Sequence, residues 1–374
     1  MNFNIEQKDK RCLARKGHID LPHGRVHTPA FMPVGTNGAV KAAAHETIEK
    51  IGYEIILGNT YHLYLRPGEK LIQKYGDLHT FSTWNGNILT DSGGYQIFSL
   101  APFRKIKDEG VYFRSHIDGS YHTLTPESVV RLQRVLGSDI MMPLDVCTAP
   151  GIEYKEALDA LKKTTAWAKK SFETWKTLDD AYAGQLFCII QGNFYKDLRK
   201  QSTEELLEID FPGIAIGGLS VGESTEQFND FLSYTAGLLP EDKPHYLMGI
   251  GTPDYILSAV ENGIDLFDCV FPTRIARNGT VFTDGGTISL KKAPFENDMR
   301  PIMDNCGCSA CTRYSRAYIR HLFKTKEILG PMLATEHNLT YLKMFMDRIH
   351  KAIDEGRFTE FKEAYGKGTD NGEG

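Results

Sequence analysis

The feature that most constrains this chain is a series of short apolar or β-branched runs, each ending on Gly or a polar residue and leading into helix-like sequence. They are Pro29–Gly35, Glu54–Asn59, Ile88–Asp91, Asp139–Asp145, Leu186–Gln191, Gly213–Gly217, Tyr246–Gly249 and Leu266–Asp268. A strand covered on both faces has no solvent side, so it reads as a continuous apolar run. Interleaved with longer periodic segments, such runs are the pattern of parallel βα units. Eight of them favour an α/β fold closed as a (β/α)8 TIM barrel over an open doubly wound sheet. Prolines in the first and fourth runs sit awkwardly in central strands.

Helix signals fall between the runs. Thr125-Pro126-Glu127 opens VVRLQRVL with a cap, an N-terminal proline and an early acid. Ser202 and Glu205 have capping-box spacing, although the sequence just before them also reads as helical. Pro253 opens DYILSAVENG, and Gly263 closes it. The interval Ser99–Thr125 differs: alternating segments around an Asp-Gly turn predict a β-hairpin insertion after the third strand, at the rim of the barrel mouth. After Arg277, NGTVFTDGGTISL predicts short antiparallel strands, followed by a helical Thr312–Lys326 and an amphipathic helix over Leu339–Ile353. The expected organisation is a barrel and pocket over 1–277 with the insertion near 99–125. A metal-bearing subdomain over 278–340, a C-terminal helix over 341–365 packing back on the barrel, and a disordered tail over 366–374 complete it.

Composition narrows the partners. A chain of 374 residues can bury a large core. Its formal charge of -5 argues against wholesale coating of nucleic acid but leaves room for a local basic face. No run of eighteen apolar residues exists, and MNFNIEQKDKR is too polar for a signal peptide, so a cytoplasmic protein without a membrane partner is expected. Seven cysteines, four of them scattered singly, argue against a disulfide scaffold.

In a barrel the carboxyl ends of the strands share one mouth, and here they supply Asp91, Asp145, Gln191, Gly217-Gly218 and Asp268. Asp91 opens DSGGYQ, whose glycines permit positive φ or close backbone approach and leave Tyr95 free to cover a flat ligand. Carboxylates, an amide and backbone N–H groups could converge on a guanine-like heterocycle, with Tyr95 and Met248 sandwiching the ring. Asp91 and Asp268 also suit chemistry at an anomeric carbon, one carboxylate capturing an oxocarbenium ion while the other manages a proton. No G-x-G-x-x-G, G-x-x-x-x-G-K-[ST] or H-E-x-x-H motif is present.

The sharpest local signal is C-x-C-x-x-C at Cys306, Cys308 and Cys311. These soft ligands lie close enough for one tetrahedral ion. His337 is the natural fourth ligand, with His321 and His350 competing. A closed Cys3His set means structural zinc, one per subunit, without a hydrolytic water. Lys291, Lys292, Arg300, Arg313, Arg316, Arg320 and Lys324 cluster in sequence around the knot, and Arg274 and Arg277 flank the last strand, a pattern suited to a phosphate backbone.

LPHGRVHTPAFMPVGTNG, GNTYHLYLRPG, LTDSGGYQIFSL, SDIMMPLDVC, FCIIQGN, IAIGGLSVGE, YLMGIGTP, DLFDCVFPTRIARNGT and CGCSACTRYSRAYIRHL, in this order over nearly the whole chain, together resemble bacterial tRNA-guanine transglycosylase. The resemblance implies a (β/α)8 barrel with a late zinc-bearing insertion, usually a homodimer. It implies exchange of guanine 34, at the wobble position of tRNAs with GUN anticodons (Asp, Asn, His and Tyr), for preQ1, 7-aminomethyl-7-deazaguanine, on the way to queuosine. It assigns Asp268 as nucleophile and Asp91 as general acid/base. Asp145, Gln191 and the Gly218 N–H would read the base, and the Leu219 carbonyl would accept from the aminomethyl group. Tyr95 and Met248 would stack on the base, Arg274 and Arg277 would hold the anticodon, and Cys306, Cys308, Cys311 and His337 would bind zinc. Preference for preQ1 over queuine is implied by Cys147 and Val221, where queuine users of the eukaryotic type carry Val and Gly. A queuine-using relative and a barrel N-glycoside hydrolase are the rival readings. A non-catalytic RNA-binding protein would leave the strand-end carboxylates without purpose.

Overall fold

The computed structural model describes residues 1–101, 103–179 and 181–369. Its centre is a parallel barrel whose strands fall on the eight predicted runs: Ala30–Gly35, Ile55–Gly58, Asn87–Thr90, Ile140–Met141, the pair Gln185–Leu186 and Cys188–Ile190, Ile214–Ile216, His245–Leu247 and Leu266–Cys269. Each pairs in parallel with the next, and the eighth returns to the first through Asp268 opposite Met32 and Cys269 opposite Pro33. The fifth strand closes the ring from both sides. Gln185–Leu186 pairs with the fourth strand and Cys188–Ile190 with the sixth, while Phe187 N–H donates to Met141 O at 3.0 Å and Cys188 N–H to Gly213 O at 3.0 Å. The fourth strand stops at Met141, ahead of Pro143, which could donate nothing to a ladder.

Alternation along the strands explains why the runs read as uninterrupted apolar sequence. Met32, Val34, Ile55, Leu57, Leu89, Ile189 and Leu266 fill the barrel interior, and the residues between them, among them Phe31, Ile56, Ile88 and Phe267, pack outward. The end opposite the mouth is closed by a three-stranded antiparallel sheet, Asn2–Lys8, Arg15–Leu21 and Gly24–Thr28, absent from the sequence expectations. Its Ile19, Leu21 and Val26 belong to the interior cluster, and a buried bidentate ion pair, Arg15 to Asp265, pins it to the base of the eighth strand.

The helix Pro126–Leu136 starts as expected: Thr125 Oγ1 accepts from Ser128 N–H at 3.2 Å, and Thr125 N–H donates to Ser128 Oγ at 2.8 Å. Ser202 is not a cap. It lies buried inside the helix Lys196–Leu207, where its hydroxyl accepts from Gln191 N–H at 3.2 Å. The insertion is a three-stranded antiparallel sheet, Arg104–Ile106, Val111–Arg114 and Tyr121–Leu124, one strand more than a hairpin. Beyond the barrel, Thr280–Thr283 and Gly286–Ser289 form the late antiparallel pair. The helix expected over Thr312–Lys326 is broken into Ser309–Arg313 and Arg316–Lys324, because Ser315 caps the second piece by accepting from Tyr318 N–H. The ranges 278–340 and 341–365 meet inside one helix, Leu329–Asp354. A last helix, Phe358–Thr369, runs into the segment expected to be a disordered tail, and 370–374 lie outside the described residues. No described helix is long and apolar enough to cross a membrane.

Candidate active site and metal centre

The strand ends bring Asp91, Asp145, Gln191 and Asp268 to one mouth. Asp91 follows the third strand, and its carboxylate is held from both sides. Thr60 N–H donates to Oδ1 at 2.8 Å, Gly93 N–H to Oδ1 at 3.2 Å, and the Asn59 amide donates to Oδ2. Burial pushes its pKa up to about 6 against these donors, and the charge of Asp268 adds to the rise, so the two carboxylates sense each other.

Asp268 is held differently. Tyr246 Oη donates to Oδ1 at 2.7 Å and Gly249 N–H to the same oxygen at 3.0 Å. Among the described residues no neighbour donates to Oδ2, which leaves one oxygen fixed and the other free to act. Burial raises the Asp268 carboxyl as well, and the Tyr246 phenol, fully buried beside it, is driven well above its ordinary range. Tyr246 went unpredicted, although a phenol at an inward position of an otherwise apolar strand was the available signal.

Asp145 accepts from Gln191 Nε2 at 2.8 Å and from Ser92 Oγ at 3.3 Å, and burial raises its pKa. The two glycines of DSGGY have separate jobs. Gly93 takes the left-handed conformation at φ +79, and a Cβ on Gly94 would stand 3.0 Å from Asp145 O and 3.2 Å from its Oδ1. A side chain at position 94 would therefore crowd the close approach of the third and fourth strand ends.

On the far side, Gly218 adopts φ +68. Arg199 Nη1 and Nη2 donate to Gly217 O at 3.2 Å each, Nη2 to Gly218 O at 3.3 Å, and Nε to Asn193 O at 2.8 Å. In a trans peptide the carbonyl and the following N–H point oppositely, so a guanidinium that gathers the Gly217 carbonyl turns the Gly218 N–H the other way. Fully buried Arg199, whose pKa burial lowers to about 10, was missed by sequence reading because it looks like one more basic residue in a polar helix. Leu219 is buried, and Met248 is partly buried against the interior cluster. Tyr95, at the head of the helix Gly94–Leu100, is 54 % exposed.

The helix Phe271–Arg277 carries Arg274, exposed, and Arg277, half-buried with its Nη1 buried and unpartnered. Of the basic residues around the cysteines, Arg300 and Arg316 both pair with Asp298, and Arg320 pairs with Glu296. The patch is thus less positive than the sequence suggested.

Cys306, Cys308, Cys311 and His337 are buried together, with their Sγ atoms 3.7, 3.6 and 3.2 Å from His337 Nδ1 and all ligand atoms within 4.8 Å of one another. His337 Nε2 lies 2.8 Å from Phe282 O, an acceptor, so Nε2 carries the proton and Nδ1 offers its lone pair to the thiols. The donor set fits a closed tetrahedral zinc site. The competing histidines are elsewhere: His321 is exposed, and His350 donates to Pro29 O. Three successive helical residues hold the knot. Glu336 accepts from Ser309 N–H at 2.8 Å and from its hydroxyl, His337 enters the cluster, and Asn338 bridges Phe282 N–H, Pro272 O and Thr280 O. Asn338 thereby ties the metal lobe to the helix carrying Arg274 and Arg277, a link that sequence reading missed.

A closed (β/α)8 barrel with tuned carboxylates at its strand ends is an enzyme scaffold, and the Cys3His lobe welded beside its mouth marks a particular kind. The family model described as queuine tRNA-ribosyltransferase matches residues 9–370. Relatives bearing that name include one from Borrelia duttonii (strain Ly), 54% identical over 363 residues covering 97% of each chain. Another, from Treponema denticola, is 51% identical over 369 residues, 99% of this chain and 97% of its own. A third, from Caldanaerobacter subterraneus subsp. tengcongensis, is 50% identical over 365 residues, 98% of this chain and 96% of its own. The chain belongs to the queuine tRNA-ribosyltransferase family.

Proposed function

We propose that this protein is a tRNA-guanine transglycosylase that exchanges guanine 34 of GUN-anticodon tRNAs for preQ1. The observation that carries the reading is the unequal pair at the mouth: Asp91, held on both oxygens, and Asp268, held on Oδ1 with Oδ2 free. An oxygen fixed by a phenol and a backbone N–H aims the other at the anomeric carbon. Asp268 attacks C1′ as the C1′–N9 bond to guanine breaks, giving a glycosyl ester on the enzyme. Asp91, with a pKa of about 6, supplies the proton to the departing base. The same Asp91 then takes the N9 proton of the incoming base, whose nitrogen displaces Asp268, and two displacements retain configuration.

The base lies against acceptors and donors of matching sense. Asp145 accepts from the ring N–H and amino group, Gln191 and the Gly218 N–H donate to the carbonyl oxygen, and the Leu219 carbonyl accepts from the aminomethyl group. Tyr95 and Met248 flank the ring. A wobble base in an anticodon loop is already free of a duplex, which lowers the cost of splaying it into the mouth. Arg274, exposed on the helix after the last strand, and Arg277, half-buried beside it, suit phosphates of the anticodon loop. Cys306, Cys308, Cys311 and His337 would hold one zinc per subunit, which supplies structural bracing and no water. The lobe over 278–340 would face the tRNA in a cytoplasmic homodimer.

The printed name of the relatives carries queuine, which makes queuine the competing acceptor; the pocket wall at Cys147 and Val221 favours preQ1. The deciding test follows labelled guanine from an unmodified tRNA. Release should require preQ1 or unlabelled guanine and should pass through a denaturation-resistant enzyme–tRNA adduct. Release into water without an acceptor base would instead mark a glycoside hydrolase.

A further inference from the structure

The sheet inserted after the third barrel strand has two unlike faces. Val111, Phe113 and Leu124 point inward and join Tyr61 and Trp167 in a buried cluster. The outward face carries Phe103, Lys105, Tyr112, Arg114, Tyr121 and Thr123, with no acidic residue among them. Tyr112 and Tyr121 lie parallel, centroids 5.4 Å apart at 2°, and Phe103 meets both edge-on at 6.2 and 6.3 Å. Phe103 is 47 % exposed and Tyr121 59 %. Leaving Phe103 and Tyr121 in water beside a half-buried Tyr112 forfeits apolar burial, which is a reason to look for what covers them.

We propose that this face is a stacking platform for unpaired bases of the substrate RNA, outside the pocket that takes the exchanged base. The proposal rests on the transglycosylase reading for the identity of that RNA. Aromatic rings interleaved with cations on the open face of an antiparallel sheet recognise single-stranded nucleic acid: each base has a π-face for a ring, and each phosphate a charge for Lys105 or Arg114. The insertion leaves the barrel from the helix Gly94–Leu100, on the same end as Asp91 and Tyr95, and Arg104 stacks over Phe98 of that helix at 4.3 Å. The platform is also rigidly seated. Trp167 Nε1 donates to Asp108 O at 2.8 Å, Lys163 pairs with the Asp108 side chain, and Tyr61 Oη bonds to His116 Nδ1 at 2.7 Å. The acids of the insertion, Asp108, Glu109 and Asp118, sit in its turns and are engaged by Lys163, Lys107 and Ser120.

The test titrates labelled, unmodified GUN-anticodon tRNA against the full-length protein by fluorescence anisotropy. Tyr112→Ala with Tyr121→Ala should raise Kd and the KM for tRNA at least about tenfold while kcat at saturating tRNA stays within about twofold. The Tyr112→Phe, Tyr121→Phe pair, which keeps the rings, should bind like wild type. Salt dependence separates the two kinds of contact. Lys105→Ala or Arg114→Ala should lower the slope of log Kd against log salt by about 1, and the tyrosine variants should leave it unchanged. The alanine pair should also lose affinity for a short oligouridylate, a readout independent of base exchange. Wild-type tRNA and oligouridylate binding by the alanine pair, with exchange intact, would overturn the platform and spare the transglycosylase reading. Oligouridylate binding that depends on the tyrosines in a protein that exchanges no base would do the reverse. A change of oligomeric state with RNA affinity unmoved would make the face a protein interface and overturn the proposal.

Discussion

The barrel mouth and the cysteine lobe are built on opposite economies. At the mouth, acidic groups arrive from strand ends far apart in the chain, and burial drives Asp91, Asp145 and Asp268 toward protonation. Each carboxylate is held there at a cost to stability, because only the barrel's backbone can bring them together. In the lobe, three ligands come from one short stretch and the fourth from the helix packed on it, and the ligands themselves are held by near neighbours or suited to the ion. The mouth is therefore a place where the fold does work on its residues, and the lobe a place where the residues make the fold. Substitutions should then separate them cleanly, with mouth variants losing chemistry and lobe variants losing structure.

The largest effect is expected at Asp268. Asp268→Asn keeps the shape and an oxygen to accept from Tyr246 and Gly249, but removes the carboxylate charge that the proposed attack on C1′ needs. Base exchange should fall by roughly 10⁴-fold or more, tRNA affinity should stay within about threefold, and no covalent adduct should form. An adduct that persists in this variant, or that only Asp91→Asn prevents, would exchange the two roles. The lobe supplies the contrasting case. Cys308→Ser should lose the metal by elemental analysis and speed amide exchange across 278–340, at a cost of several kcal/mol confined largely to that region. Amide protection in the barrel should hardly change. If the barrel loosens to the same degree, the Asn338 bridge makes the two regions one cooperative unit, and the division fails.

How much of this was legible beforehand follows the same divide. The knot could be read from spacing alone, since three soft ligands in a few residues leave little else to be. The strands could be read from runs buried on both faces, and the mouth from the polar residues that end them. Residues that act through another were not legible. Tyr246, Asn59, Thr60 and Arg199 sit in an apolar strand, a strand-to-helix joint or ordinary helices, and their meaning comes from partners that only closure of the barrel brings near. Ser202 misled for the same reason: its spacing fits a local cap, while its hydroxyl serves the backbone of Gln191. The N-terminal sheet was missed because its strands alternate in burial and read as polar.

A pH experiment sharpens the claim that the mouth is strained by its charges. The Asp91 carboxyl is raised from 3.8 to about 6 in the fold, mainly by burial. The folded form then holds its proton more tightly than the unfolded chain, so this group's contribution to stability is full below about pH 4, declines as pH rises, and is lost above about 6. The ionised fold bears up to about 3 kcal/mol on this account. Asp91→Asn removes that burden, and Asn59 can turn its amide oxygen toward the new amino group. The variant should be inactive yet more stable than wild type at pH 7.5 by about 1–3 kcal/mol in urea unfolding, with the gap closing below pH 4. A variant less stable at pH 7.5 would mean the hydrogen bonds outweigh desolvation.

The smallest effect concerns the pocket wall, where the mouth must discriminate by shape instead of charge. Queuine differs from preQ1 by a cyclopentenediol on the aminomethyl nitrogen, so on the proposed placement of the base discrimination falls to the side chains near the Leu219 carbonyl. Val221 lies in the loop just after it, part-buried, and its N–H donates to Glu223 Oε2 at 2.8 Å. Glu223 also collects the Ser220 and Gly222 N–H groups, so three successive peptides of this loop are clamped by one carboxylate. A clamped backbone cannot easily swing a β-branched side chain aside, which turns Val221 from a passive neighbour into a wall. We expect kcat/KM for preQ1 to exceed that for queuine by at least about tenfold, or about 1.4 kcal/mol in the transition state. Val221→Gly should narrow the ratio by opening the wall, while Glu223→Gln should narrow it by loosening the loop, with a larger loss of absolute rate. Equal kcat/KM values for the two bases on one unmodified tRNA, or a preference for queuine, would show that the loop moves as a unit and that the wall argument is wrong.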